Sequence, residues 1–243
     1  MKLFSYPITI LFYFVFGFWL CLFHPIQWVC LNLFGYRAHA YSVAILNCLL
    51  IRTTHLLGTT YQLKGHKSMP QNVPIIWVAN HQSMYDIPPI IWFMRKFHPK
   101  FVSKKELGKG IPSVSFNLRH GGSVLINRKD AKQAIAQIEQ MGRYIERHKR
   151  SVVIFPEGTR SKTGVPKKFA TNGLKTLIAQ SPSAYIVPIS INNSWKMVKY
   201  GAFPMGLGNK ITFEFHQPLK VSDFTADELL IKTEQIIIDD IHN

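Results

Sequence analysis

Residues 3–23, LFSYPITILFYFVFGFWLCLF, carry no charged side chain, and this segment limits the possible folds more than any other feature. Its length matches the ~20 residues that cross a bilayer as an α-helix, and its many aromatic side chains suit the headgroup interface. His24-Pro25 interrupts this apolar run, and a second apolar run, IQWVCLNLFGY, follows. The sequence therefore predicts a membrane anchor, in the form of a span, a helical hairpin or an in-plane helix.

The main alternative for this segment is a cleaved signal peptide. The apolar run is longer than a typical signal-peptide core, however, and no A-x-A-like cleavage site follows Phe23. Positive charges are distributed unevenly around the run, because only Lys2 precedes it while several follow: Arg37, Arg52, Lys64 and Lys67. Since Lys and Arg accumulate on the cytoplasmic side of membranes, we expect the rest of the chain to lie on the cytoplasmic face.

The sequence pattern changes near residue 57. Residues 38–57 are predicted to form a helix, with apolar side chains at helical spacing: Val43, Leu46, Leu50 and Leu57. Beyond them, short β-branched runs alternate with longer helical patterns. We therefore predict two parts, with hydrophobic membrane-anchoring helices in residues 1–57 and an α/β domain in residues 58–243.

Six β-branched runs are predicted strands, at residues 73–79, 100–103, 122–126, 151–155, 184–191 and 210–215. The helical pattern between the third and fourth runs places apolar residues on one face behind Asp130, a predicted N-cap: Ala131, Ile135, Ile138, Met141 and Ile145. Near the C-terminus, Thr225 and Glu228 form a capping-box pattern ahead of two apolar pairs that we expect on one buried face: Leu230-Ile231 and Ile237-Ile238. The predicted fold is a mixed, mostly parallel sheet flanked by helices.

The balance of charges indicates an anionic partner. Lys and Arg number 29 against 13 Asp and Glu, for a net charge of +16. Nucleic acid, an acidic lipid surface and phosphorylated small molecules all fit this charge. The basic residues are scattered and the N-terminus is membrane-seeking, so nucleic acid is the least favoured of the three. The three cysteines, Cys21, Cys30 and Cys48, lack metal-type spacing, and we expect neither a metal site nor a disulfide framework.

The first candidate site lies in WVANHQSMYD, residues 77–86, where a predicted strand turns into a helix. Open α/β sheets bind ligands at such strand ends. Asp86 is a predicted helix N-cap, ahead of Pro88-Pro89 in the tolerant first turn. It also lies close enough to His81 to orient the imidazole as a general base. The spacing alone would equally fit a plain helix cap.

A second candidate site follows the strand at residues 151–155, in the turn FPEGTRSKTG. Gly158 lets backbone amides approach a ligand, and the Arg160 guanidinium matches the geometry of phosphate oxygens. Three lysines add positive potential nearby: Lys162, Lys167 and Lys168. A solvated turn in which Glu157 and Arg160 pair with each other is the alternative.

Together, Asn80-His81-x4-Asp86 and the later FPEGTRS motif resemble the glycerolipid acyltransferase family, and most closely its 1-acyl-sn-glycerol-3-phosphate acyltransferases. KKELGKGIP and HGGSVLINR resemble the family's second motif block, and Val187-Pro188-Ile189 resembles its fourth. The resemblance covers roughly residues 60–215. One residue and one segment depart from the family pattern. Ser115 replaces a common glycine, and KKFATNG, residues 167–173, replaces the common Phe-Lys-x-Gly.

The resemblance implies acyl transfer from acyl-CoA or acyl carrier protein to the sn-2 hydroxyl of lysophosphatidic acid, giving phosphatidic acid at a membrane. It implies that His81 is the base, that Asp86 holds it, and that no metal or cofactor takes part. Substrate-binding roles follow for the remaining motif residues: Lys105, Arg128, Glu157, Gly158, Thr159, Arg160 and Pro188. Another lyso-lipid such as lyso-ornithine lipid, or glycerol 3-phosphate, remains an alternative acceptor. A non-catalytic protein that binds anionic lipid is the alternative from another class.

Overall fold

The computed structural model describes residues 2–242 and begins with α1 (Lys2–Thr54), in which two helical segments meet at a kink. The first segment runs through Pro7 and Pro25, and the kink lies at Gly35, whose φ of 77° is in the left-handed region. Pro25 lies inside the first helical segment and does not break it. Phe23 and Gln27, on either side of it, are buried against the rest of the chain, so tertiary packing outweighs the hydrogen bond that proline removes.

One narrow stripe of α1 is buried along its whole length. Before Gly35 the stripe consists of residues three, four or seven apart: Ser5, Thr9, Phe12, Phe16, Phe23 and Gln27. After Gly35 it includes the predicted face of Val43, Leu46 and Leu50, which the structure confirms. The helix thus lies along the remainder of the chain, and most of the apolar side chains before Gly35 face outward. It is long and apolar enough to cross a membrane.

Eight strands form a single sheet in the order β1-β7-β6-β2-β5-β3-β4, with β8 beside β6. Most neighbours run parallel, while β6 is antiparallel to both β7 and β8. The predicted mixed, mostly parallel sheet is confirmed, although β1 and β8 were not predicted. The strands are β1 (Thr60–Lys64), β2 (Ile75–Ala79), β3 (Pro99–Lys104), β4 (Val124–Ile126), β5 (Ser151–Ile154), β6 (Tyr185–Asn192), β7 (Lys210–Phe215) and β8 (Leu219–Lys220).

Helices cover both faces of the sheet. Alternate residues of β2 face opposite ways. Ile75 and Trp77 pack in the core beneath α1, while Ile76 and Val78 pack in a second core on the opposite face of the sheet. This burial of both faces explains the continuous apolar strand sequences. The remaining helices are α2 (Ile87–Phe93), α3 (Val114–His120), α4 (Ala131–His148), α5 (Thr171–Gln180) and α6 (Ala226–Asp239).

Two of the three predicted helix caps, Asp130 and Thr225, are confirmed, and the predicted buried faces are confirmed in part. Asp130 accepts a hydrogen bond from the Gln133 amide at 3.0 Å, and Thr225 and Glu228 form their capping box. In α4 the first apolar position, Ala131, is exposed. In α6 the expected face was wrong at Ile231 and Ile238, which are exposed, because the helix instead buries a stripe through Leu229, Leu230, Thr233 and Ile237.

The parallel strands end at one edge of the sheet. His81 follows β2, Glu157 follows β5, Lys105 follows β3 and Arg128 follows β4. The carboxyl edge of an open parallel sheet is where such folds bind ligands. The fold thus places four separate motifs of the sequence along the same edge.

Candidate active site

His81 and Asp86 are in direct contact at the end of β2. The His81 Nδ1 atom lies 2.8 Å from Asp86 Oδ2, and the Asp86 side chain is completely buried while the imidazole is 17% exposed. A carboxylate in this position holds the proton on Nδ1, which leaves Nε2 as the basic nitrogen. The pair can therefore accept a proton from a hydroxyl group at the protein surface.

Asp86 occupies the predicted N-cap position of α2, but its side chain forms no capping hydrogen bond with that helix. Its Oδ2 atom accepts hydrogen bonds from the amides of Gln82 at 2.8 Å and Ser83 at 3.0 Å, in addition to the contact with His81. Ser83 is the N-cap of a short 3-10 turn, Met84–Asp86, and forms a capping box with Asp86. The turn directs the carboxylate back towards the strand end, so it faces the imidazole rather than the amides of α2.

A residue far away in the sequence completes the environment of Asp86. The Ser194 hydroxyl donates to Asp86 Oδ1, and the Ser194 amide donates to Gln82 Oε1 at 3.0 Å. The side chains of Ser194 and Gln82 are both buried. Ser194 opens a 3-10 turn after β6, 108 positions beyond Asp86, so no local pattern could have identified it. The Asn80 side chain ties the same two strand ends together, because its Nδ2 donates to the Ile191 carbonyl and its Oδ1 accepts from the Ile191 amide.

The turn after β5 packs directly against His81. Glu157 accepts hydrogen bonds from the His81 amide at 2.7 Å and from the Lys167 amide at 2.9 Å, and the Ser161 amide donates to the His81 carbonyl at 2.7 Å. The Phe155 ring stacks on the imidazole with centroids 4.1 Å apart. These contacts fix the backbone and ring plane of the candidate base.

Glu157 therefore links two segments and does not pair with Arg160. Burial raises the pKa of the Glu157 carboxyl, and the two backbone amides that donate to it oppose this shift. Among the ion pairs of residues 2–242, none involves Arg160. The alternative of a Glu157–Arg160 pair in a solvated turn is thus wrong, and the Arg160 guanidinium remains available for a ligand.

The tip of this turn is open to solvent. Gly158 has a φ of +67°, and an added Cβ would meet no atom within 4 Å. Thr159 and Arg160 are exposed, and the Arg160 carbonyl accepts a hydrogen bond from Lys167 Nζ at 3.4 Å. Exposed lysines surround the turn: Lys162, Lys167 and Lys168. The turn thus presents several cations beside His81 and suits an anionic group.

The other candidate residues lie on separate elements. Lys105 is exposed in a short turn after β3, and Arg128 is exposed after β4, where partial burial lowers its pKa and Glu106 opposes this shift. Pro188 is buried in β6, where pairing changes from β8 to β7, so its missing N–H breaks no hydrogen bond on that side. A role for these three in substrate binding stays a prediction.

The departing residue Ser115 has a local structural partner. Its hydroxyl donates to the Leu107 carbonyl at 2.9 Å and accepts from the Ile111 amide at 3.0 Å. It therefore fixes the loop that carries the second motif block. A glycine at this position could not form these bonds.

The membrane-seeking helix contacts the site from its apolar side. Tyr85, next to Asp86, packs edge-on against Phe12 and Phe16 of α1 with centroids 5.8 and 5.9 Å away. Met205 connects the same elements, because its amide donates to Thr9 Oγ1 at 2.9 Å. The turn that carries Asp86 therefore rests on the apolar helix α1.

Within residues 2–242 no group of three or more His, Cys, Asp or Glu side chains could hold a metal ion. All three cysteines are free thiols, with Cys21 exposed and the other two half-buried. The chemistry available at the strand ends is therefore that of a base, its carboxylate partner and a group of surface cations. The absence of a cofactor stays a prediction.

Known proteins are similar to this chain in sequence and in fold. The chain is 28% identical to the 1-acyl-sn-glycerol-3-phosphate acyltransferase of Saccharomyces cerevisiae over 180 residues, which cover 72% of this chain and 56% of that protein. It is 35% identical to the protein of that name in Helicobacter pylori over 123 residues, 49% of each chain. The matched part thus spans about half the length of these relatives.

A solved structure matches almost the full length. The 1-acyl-sn-glycerophosphate acyltransferase PlsC of Thermotoga maritima superposes with a TM-score of 0.79 at 22% identity, covering 99% of this chain and 96% of that one. This likeness establishes the fold. The family profile described as Acyltransferase matches residues 61–192, which is more than half of the chain and includes His81, Asp86 and the turn at Arg160. The chain therefore belongs to the acyltransferase family.

Proposed function

We propose that this chain transfers a fatty acyl group from a thioester donor to the sn-2 hydroxyl of 1-acyl-sn-glycerol 3-phosphate, producing phosphatidic acid. The observation that carries the proposal is the contact between the His81–Asp86 pair and the cationic turn at Gly158–Arg160, made through Glu157. Relatives named for this reaction in yeast and bacteria support the same acceptor.

In the proposed reaction His81 is the general base. Asp86 and the stacked Phe155 ring hold the imidazole with Nε2 directed away from the carboxylate. The sn-2 hydroxyl transfers its proton to Nε2 as its oxygen attacks the thioester carbonyl carbon. When the tetrahedral intermediate collapses, the carbon–sulfur bond breaks and the proton passes from Nε2 to the departing thiolate. No covalent acyl-enzyme forms, and neither a metal ion nor a cofactor is required.

The acceptor phosphate is positioned by the turn after β5. Arg160 forms no ion pair with any carboxylate in residues 2–242, so its guanidinium can form two parallel hydrogen bonds to phosphate oxygens. Thr159 and the open backbone at Gly158 line the same turn. We assign Arg128 and Lys105 to a second phosphate contact, on the acceptor or on the donor. Holding the phosphate fixes the hydroxyl relative to His81, which lowers the entropic part of the barrier.

The decisive experiment is acyl transfer from labelled acyl-CoA or acyl carrier protein by the purified, detergent-solubilised chain. We expect wild type to convert lysophosphatidic acid and His81→Ala to lose about 10²- to 10⁴-fold in kcat. His242→Ala is the matched control, since His242 is an exposed histidine at the other end of the chain and should keep full activity. Arg160→Ala should raise KM for the phosphate acceptor roughly 10- to 100-fold, while the exposed control Arg147→Ala should not.

Other outcomes would redirect the proposal. Activity of wild type towards lyso-ornithine lipid or glycerol 3-phosphate, with none towards lysophosphatidic acid, would change the acceptor and keep the reaction. A folded wild type that turns over no acceptor with either donor, and binds anionic lipid equally well as His81→Ala, would favour a non-catalytic lipid-binding protein.

We further propose that residues 1–57 form the membrane-anchoring part and residues 58–243 the catalytic part, on the cytoplasmic face. The outward apolar surface of α1 supports an anchor, and Tyr85 joins that helix to the proposed base. Membrane lipids and the acyl donor would be the partners of this arrangement.

A further inference from the structure

A second group of cationic side chains lies at the opposite edge of the sheet from His81. There the start of β3 meets α1 and α3 around a small cleft that opens to solvent. We call this the basic cleft and define it by its polar lining residues: His39, Arg95, His98, Lys100, Asn117 and Ser123. Gly121 and Ser123 of the cleft belong to the HGGSVLINR motif, while the other motifs assigned to acyl transfer lie outside it.

Lys100 is the unusual residue of the basic cleft. It is only 7% exposed, and its ammonium forms no hydrogen bond or ion pair with any residue between 2 and 242. Its Nζ lies 4.8 Å from the centre of the Tyr36 ring, and the Arg150 guanidinium lies 4.2 Å from the centre of the same ring. Burial, followed by repulsion from Arg150, lowers the pKa of Lys100 to about 7.

The surroundings of Lys100 contain further cations and no counter-ion. His98 faces Lys100, Arg150 and Arg37, and burial together with these charges lowers its pKa. In the part of the chain that the structure describes, no carboxylate forms an ion pair with any residue of the basic cleft. An unpaired buried charge is costly, so an anion that enters the cleft would recover electrostatic free energy.

We propose that the basic cleft binds a phosphate group, and that its occupant is the headgroup of an anionic phospholipid. Arg95 and Lys100 supply charge-assisted donors for phosphate oxygens, and His98 lines the same cleft. The Ser123 oxygen already accepts from the Phe101 amide at 3.1 Å, so its hydroxyl hydrogen is directed to another acceptor. Arginine, lysine and hydroxyl donors around one cleft match a phosphate better than a carboxylate, which has fewer oxygens.

A lipid is the occupant that the wall of the cleft favours. Ala40, Val43 and Ala44 of α1 form its apolar side, and the same helix exposes apolar side chains before Gly35. A headgroup in the cleft could therefore place its acyl chains along α1. The net charge of +16 favours anionic over zwitterionic lipid at this surface. The inference does not depend on the proposed acyltransferase activity.

The test is thermal unfolding of the full chain in zwitterionic detergent micelles with added phosphatidylglycerol, phosphatidylcholine or inorganic phosphate. We expect phosphatidylglycerol at a large excess over its Kd to raise Tm by roughly 5–10 °C and phosphatidylcholine to have little effect. Lys100→Met should remove this shift. It should also unfold at a higher temperature than wild type without anion, because it removes an unpaired buried charge. A shift produced equally by inorganic phosphate would support the phosphate site and identify a soluble source.

Three further variants separate the cleft from other anion contacts. Lys132→Met removes an exposed positive charge on α4 and should keep the full shift, as should Arg160→Ala, which removes the cation proposed for the acceptor. Arg95→Gln changes an exposed residue of the basic cleft, cannot disturb the core, and should reduce the shift even if Lys100→Met fails to fold. An unchanged shift in both Lys100→Met and Arg95→Gln would overturn the proposal.

Discussion

At the scale of single residues, Asp86 depends on a hydroxyl group that only the fold supplies. Ser194 donates to Asp86 Oδ1, and a hydrogen bond to a charged group contributes about 1.5–3 kcal/mol. We therefore expect Ser194→Ala to lower kcat roughly 10-fold and to leave KM for both substrates nearly unchanged, since Ser194 positions Asp86 and contacts no substrate. Steady-state kinetics with both substrates varied would measure this separation of kcat from KM.

Ser151→Ala is the matched control for this prediction. Ser151 is as deeply buried as Ser194, but it lies at the start of β5, at the far edge of the sheet. Its hydroxyl donates a hydrogen bond to the Phe97 carbonyl. Its loss should reduce stability and leave kcat intact. Equal losses of kcat in the two variants would show that Ser194 acts only through stability. The sequence predicted His81 and Asp86 because they share one turn, whereas Ser194 and the stacked Phe155 follow other strands, and their proximity requires the sheet order.

At the scale of elements, α1 has two apolar faces with different functions. Phe16 is 9% exposed and packs on Tyr85, whereas Phe14, two residues earlier, is 72% exposed. We expect Phe16→Ala to lower the free energy of unfolding by about 3–5 kcal/mol, because it leaves a cavity beside the site. Phe14→Ala should change it by less than about 0.5 kcal/mol and should instead weaken retention on phospholipid vesicles.

Thermal unfolding in detergent and vesicle sedimentation would measure the two effects of these substitutions separately. Equal destabilisation by both would contradict the one-sided packing of α1. The sequence could not distinguish the two faces, because nearly every position before Gly35 is apolar and a helical stripe needs polar residues to stand out. In α4 such polar residues are present, and there the buried positions Ile138, Met141 and Ile145 were predicted from spacing alone.

At the scale of the whole molecule, the packing of α1 favours one of the three anchors that the sequence left open. The buried stripe from Ser5 to Gln27 extends about 33 Å along the domain at 1.5 Å per residue, a distance close to the thickness of the hydrocarbon core. A helix that packs on the domain over this length cannot also cross the bilayer away from it. We therefore expect α1 to lie in the membrane plane, with its outward face, together with Phe203 beside Tyr6, in one leaflet.

Cysteine labelling in sealed vesicles would test this arrangement together with the cytoplasmic orientation. After replacing the three native cysteines by serine, Lys2→Cys at the start of α1 and Lys132→Cys on α4 each introduce one exposed thiol. An in-plane helix keeps both positions on one side, so an impermeant maleimide should label both variants in inverted vesicles and neither in intact cells. Labelling of Lys2→Cys in intact cells but not in inverted vesicles would instead require that α1 separates from the domain and spans the bilayer. That result would remove Phe12 and Phe16 from Tyr85, and therefore the apolar support of the proposed base.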